Sequence, residues 1–153
     1  MGARDPGLSG GNSLAGYSGT PLTRKLGIRA GHEVALLGAP DGLARDLGPL
    51  PGVTLSAGLG GSGPLDVIVT FLRWRHELEE QLPGLRERMA PACGLWIAWP
   101  KRSARVPTDM TDGVVREVAL PTGLVDNKVC AIDAAWTALR LVIRRELRPA
   151  PPG

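Results

Sequence analysis

Hydrophobic and polar positions along this chain change period several times, and each change marks an element. Residues Leu65–Leu72 are apolar at nearly every position. Gly94–Trp99 repeats that texture. A strand apolar on both sides is covered on both faces, as in a parallel sheet. Between the two runs, Leu78, Leu82, Leu85 and Met89 fall at i, i+4, i+7 and i+11, one face of a helix from about Trp74 to Met89. Pro83 falls inside this helix and is expected to split it, opening a second short helix. The three segments form a βαβ unit, whose crossover is right-handed.

Further elements flank that unit. Thr20-Pro21 reads as a cap followed by Pro at the first helical position, with Gly27 ending the helix Pro21–Leu26. A strand Glu33–Leu37, a short helix Gly42–Leu47 and a weak strand Val53–Ala57 come next. The link Gly58–Pro64 is too short for a helical crossover, so the weak strand is expected to be antiparallel or to lie outside the ladder. Asp109 reads as the cap of a helix Met110–Leu120, with Asp112 reaching back. Strands Val125–Ile132 and Leu139–Arg145, joined by six residues, are expected to pair antiparallel.

Composition narrows the class. At 153 residues the chain is long enough for one domain with a real core. Residues 1–13 are rich in Gly and Ser without apolar periodicity and read as a disordered tail; 149–153 read as a second tail, leaving a single α/β domain over 14–148. The net charge is +3, and most cations are Arg, scattered except for Arg144, Arg145 and Arg148, so nucleic acid is an unfavoured partner. Cys93 and Cys130 sit in or beside apolar strands and fit buried thiols in a reducing cytoplasm. His32 and His76 stand alone and no C-x-x-C occurs, so no metal is expected. No apolar run reaches membrane-spanning length, and no export signal is expected.

These elements resemble a shortened class I methyltransferase core: a Rossmann-like three-layer α/β sandwich with a mostly parallel sheet and an antiparallel C-terminal strand. That resemblance implies an acidic residue and a glycine run around the first strand, an acid after the second, and N-P-P-Y after the central one. The chain has Ala35-Leu36-Leu37 and Gly38-Ala39-Pro40-Asp41-Gly42, then Ser56-Ala57, then Phe71-Leu72-Arg73-Trp74. Gly58–Gly63 matches G-x-G-x-x-G, but a Pro and a strand follow where a dinucleotide site needs a helix. Gly16-Tyr17-Ser18-Gly19-Thr20 lacks the strand a nucleophile elbow requires. No cofactor is therefore expected.

The segments Ala15–Ile28, Gly94–Lys101, Thr108–Thr111 and Gly123–Trp136 together resemble a family of small actinobacterial proteins, domain of unknown function three-zero-five-two. The resemblance spans most of the folded region and implies a bacterial, cytoplasmic, single-domain protein. It carries no activity or site residue.

The expectation drawn from these readings is a non-catalytic module that binds a small ligand or a protein partner, with no membrane. The alternative is an enzyme for a small anionic substrate, with Lys101 as the anion contact and Asp109 or Asp126 as acid/base. A nucleic-acid role comes third. Ligands of open α/β sheets bind beyond the carboxyl ends of strands. Trp99, Lys101, Asp109 and Thr111 are placed there, with Tyr17 and Ser18 converging on them. Asp126 and Lys128, at i and i+2, are expected to share one face of a strand.

Overall fold

The structure is a computed structural model, and it describes residues 21–149. Six strands form one sheet in the order β2-β1-β3-β4-β6-β5. They are β1 (Glu33–Leu37), β2 (Thr54–Ser56), β3 (Leu65–Phe71), β4 (Met89–Pro100), β5 (Leu124–Ala131) and β6 (Trp136–Ile143). β2, β1, β3 and β4 are mutually parallel, and β6 is antiparallel to both β4 and β5. The expected α/β architecture, with its mostly parallel sheet and antiparallel last strand, is the observed one.

Helices cover both faces. α1 (Leu22–Leu26) and α2 (Leu43–Leu47) pack with Val34, Leu36, Val67, Val69, Phe71 and Trp96. On the other face α3 (Arg75–Arg88) and α4 (Asp112–Ala119) pack with Ala35, Ile68, Leu95, Ile97, Leu139 and Leu141. The alternation of these names along each strand is the period of two that a sheet buried on both faces requires. No helix among the described residues is long and apolar enough to cross a membrane.

Four local expectations are corrected. Pro83 does not split α3, which runs unbroken through it. Pro83 faces solvent, so water can satisfy the Glu79 carbonyl that its missing N–H leaves free, while Leu78, Leu82 and Leu85 stay buried on one line. β2 is parallel to β1 and within the ladder. Its link to β3 crosses without a helix, packing Leu59 on the α3 side of the sheet. Eight extended residues reach about 26 Å, more than the length of a five-residue strand. Arg88 holds this crossover by donating to the carbonyls of Leu59 (2.9 Å), Gly61 (2.9 Å) and Gly63 (2.7 Å).

α4 is capped by Thr111, whose hydroxyl accepts from the Val114 N–H at 3.1 Å, and not by Asp109. β6 starts at Trp136 instead of Leu139. Asp133 Oδ1 accepts from the Ala135 and Trp136 N–H groups at 2.7 and 2.9 Å, which closes the hairpin in a tighter turn than six residues suggested.

Candidate functional site

The carboxyl ends of β1, β3 and β4 lie at one end of the sheet because the strands are parallel. Beyond β4 the chain turns through a 3₁₀ segment, Arg102–Ala104, and an extended loop before α4. A cleft of about 540 Å³ opens there. Its floor is Trp99 and Pro100, its far wall Val106, Pro107, Thr108 and Met110, and its rim Arg102, Thr111, Asp112 and Val129. The volume falls within the range of small-molecule sites, and most of the lining is apolar.

The far wall is pinned to the start of α3. Thr108 Oγ1 donates to the Arg73 carbonyl, and Arg73 Nε donates to the Pro107 carbonyl at 3.0 Å. The Met110 N–H donates to Thr108 Oγ1 at 3.0 Å, and Asp109 Oδ1 accepts from the Arg75 N–H at 2.7 Å. A loop held by three bonds to residues 73–75 and one within itself presents a set surface to a ligand instead of one that must be ordered on binding. Arg105, in the same loop, has φ 56°, and it is the one non-glycine residue with positive φ among the described residues. Backbone strain of this kind concentrates at functional sites.

Of the residues singled out from the sequence, the structure brings Trp99 and Thr111 together in the cleft and disperses the others. Tyr17 and Ser18 lie outside the described residues. Asp109 is spent on the first N–H of α3, as a cap from another part of the chain. Lys101 leaves the cleft lining and sets its N–H against the Ala135 carbonyl at 2.8 Å, beside the β5–β6 hairpin. Asp126 Oδ2 accepts from Arg116 Nε at 3.1 Å. The combination of Lys101 with Asp109 or Asp126 as an anion-processing set therefore does not assemble.

Asp126 and Lys128 do not share a face. Asp126 pairs with Leu141 and Lys128 with Arg140, so Asn127 is an extra residue with no partner. A bulge of this kind shifts the alternation by one and sends the two side chains to opposite sides. Sequence reasoning pointed to the loop before Asp109 and the start of the Met110 helix without singling out Val106, Pro107, Thr108 and Met110 as lining, and it missed Arg102 and Val129. Val129 carried no signal in the sequence; the structure leaves it 67% exposed on the edge strand β5.

The thiols are poor nucleophiles where they stand. Burial pushes Cys93 up to about 12, with the Asp66 charge adding to it. Burial also raises Cys130, against the opposing charges of Lys25, Lys128 and Lys101. Among the described residues no group of three or more His, Cys, Asp or Glu could hold a metal ion.

Neither a protein-family model nor a curated protein matches the chain. Solved structures do match in fold. An S-adenosylmethionine-dependent methyltransferase from Aquifex aeolicus superimposes with a TM-score of 0.58 at 12% identity, covering 80% of this chain and 88% of that one. A ribosomal protein L11 methylase from Lactobacillus delbrueckii subsp. bulgaricus gives 0.55 at 11% identity, over 81% and 75%. A TehB-like S-adenosylmethionine-dependent methyltransferase from Corynebacterium glutamicum gives 0.51 at 12%, over 85% and 91%.

These matches correct the expectation of a non-catalytic module on a degenerate core. The core is shared over four fifths of the chain with proteins named as methyltransferases, so missing motifs are no ground for reading the fold itself as degenerate. The side chains at the carboxyl ends of β1 and β2 do not fit S-adenosylmethionine. Its ribose hydroxyls and ammonium call for carboxylate acceptors. Leu37 packs against the core at the end of β1. Ser56 spends its hydroxyl on the Val34 and Gly58 carbonyls at 3.4 and 3.2 Å. Gly38 (φ 65°) is pressed against β3, where a Cβ would stand 3.1 Å from the Phe71 carbonyl oxygen, and Pro40 brings no N–H to the loop. The likeness is one of fold: the chain has the architecture of S-adenosylmethionine-dependent methyltransferases.

Proposed function

We propose that this chain is an enzyme built on the methyltransferase fold, with its substrate in the cleft beyond β4. The observation that carries the reading is the pinned wall at residues 107–110, which faces Trp99 across a cleft of ligand size at the end of the sheet where α/β folds place their sites. The named activities of the structures with this fold support an enzyme. The lining favours a mostly apolar substrate. Arg102 and Asp112 stand at the rim and orient its polar groups. Asp112 Oδ1 accepts from its neighbour's N–H at 2.8 Å and Oδ2 lies 3.3 Å from Arg116, so the carboxylate is fixed in direction while still exposed.

The test compares wild type with Val129→Trp, which fills the mouth of the cleft from an exposed position and leaves the core untouched. Each is incubated with a metabolite extract and followed by mass spectrometry. At least one compound should be consumed by the wild type and consumed about tenfold more slowly by the variant at equal Tm. Consumption of nothing, or of the same compounds at the same rate by both, overturns the reading.

A further inference from the structure

The cleft beyond β4 joins an apolar interior to a rim of two unlike charges. Trp99 and Met110 line it as buried side chains. Five large apolar side chains are left exposed among the described residues, and two of them, Val106 and Val129, line this one cleft. Arg102 comes from the 3₁₀ segment after β4, and Asp112 is the first residue of α4. Both line the cleft, yet among the described residues they do not pair with each other, and Arg102 is in no ion pair. Asp112 shares one cation with a second carboxylate. Arg116 Nη1 is 3.3 Å from Asp112 Oδ2, and Arg116 Nε is 3.1 Å from Asp126 Oδ2. Two carboxylates on one guanidinium leave a net negative charge beside Asp112. The rim is therefore positive at Arg102 and negative at Asp112. Lys101 lies outside the lining and Asp109 accepts the Arg75 N–H, so neither belongs to this rim.

We propose that the cleft takes a small zwitterion with a large apolar group, an apolar amino acid or short peptide, with its carboxylate on Arg102 and its ammonium on Asp112. The inference rests on the reading of the cleft as the substrate site and names the class of that substrate. A neutral apolar molecule would strip water from both charges and return nothing to them. A simple anion would meet Arg102 but sit near the surplus carboxylate charge, and a simple cation would meet Asp112 but sit near Arg102. A zwitterion satisfies both ends at once. Arginine suits the first end, because its planar fork matches a carboxylate with two parallel N–H···O bonds. Asp112 suits the second. An ionised carboxylate accepts at about four sites. Asp112 Oδ1 accepts the Gly113 N–H at 2.8 Å and Oδ2 faces Arg116, which leaves acceptor capacity on a side chain that is 58% exposed. The two charges stand at the rim and the apolar residues within it. An apolar group can then be buried against Trp99 and Met110 while the charged ends keep contact with water, which spares most of their desolvation cost.

The experiment is calorimetric titration of the full chain with phenylalanine and with the dipeptide phenylalanyl-leucine, each also in its N-acetylated and its C-amidated form. Wild type should bind at least one of the two parent compounds with a dissociation constant below about 1 mM, and which of them binds tells an amino acid from a peptide. Each blocked form should bind about tenfold more weakly than its parent. Arg102→Gln should abolish the preference for the free carboxylate and keep the preference for the free ammonium. Asp112→Asn should do the reverse. Arg45→Gln, on α2 across the sheet, should change neither. Equal binding of parent and blocked forms, weakened alike by Val129→Trp, overturns the zwitterion and leaves the cleft as an apolar site. Preferences that survive in both Arg102→Gln and Asp112→Asn also overturn it. So does the absence of saturable binding by either parent, and the cleft itself is then judged by the extract comparison with Val129→Trp.

Discussion

The α3/α4 face of the sheet and the α1/α2 face bury similar aliphatic side chains by different means. On the first, a fourteen-residue helix lays Leu78, Leu82 and Leu85 along the strands, and the side chains of Arg73, Thr108 and Asp109, the last on the Arg75 N–H, tie helix to loop. On the second, two five-residue helices are too short to be stable alone. They are held by packing and by the Trp96 indole on Leu26. The first face can therefore build a cleft with set walls. The second is covered by short elements that are anchored at few points. The difference shows how one sheet can anchor its two faces unequally and carry its shaped cleft beside the more firmly tied one.

The largest expected effect separates the two thiols. Cys93, on the α3 face, has its pKa raised from 9.0 to about 12. A thiol whose folded pKa is raised contributes stability that is fully present below pH 9 and is lost as pH rises toward 12, because the unfolded chain releases its proton first. Denaturant titrations from pH 8 to 11 should show stability falling steeply in wild type and less so in Cys93→Ala. Equal slopes would mean that Cys93 is more accessible than its burial indicates. Leu78→Ala, in the same layer, should cost about 3 kcal/mol by urea denaturation.

Trp96→Phe tests the other face. It removes the donor to Leu26 and leaves a buried carbonyl unpaired, for about 2 kcal/mol. Hydrogen exchange should show α1 amides opening first while α3 amides keep their protection. Uniform loss of protection would deny that the two faces are anchored independently. Arg88→Met releases three carbonyls of the 57–64 crossover and should cost about 1 kcal/mol, since the loop is exposed and water replaces part of what is lost. Smallest is Arg116→Gln. Its partners Asp112 and Asp126 are exposed or half-buried, and such pairs contribute about 0.5 kcal/mol.

Local apolar pattern determined the strands Leu65–Phe71 and Glu33–Leu37, the long helix between β3 and β4, the parallel core and its antiparallel close. These are legible because a residue's face follows from its spacing to near neighbours. What the tertiary structure alone decided depended on distant partners. A proline stayed inside α3 because both helical halves kept the same buried line. A short crossover sufficed because Arg88, twenty-five residues beyond Gly63, clamps it. Asp109 caps a helix thirty-four residues upstream instead of the one that follows it. One unpaired residue, Asn127, reversed the side chains that spacing had put together, and so parted Asp126 from Lys128. The cleft comes from side chains that only the sheet order makes neighbours, Trp99 on β4 and Val129 on β5. Spacing along a chain says nothing of which strand will lie beside which, and that pairing set where this protein's polar chemistry sits.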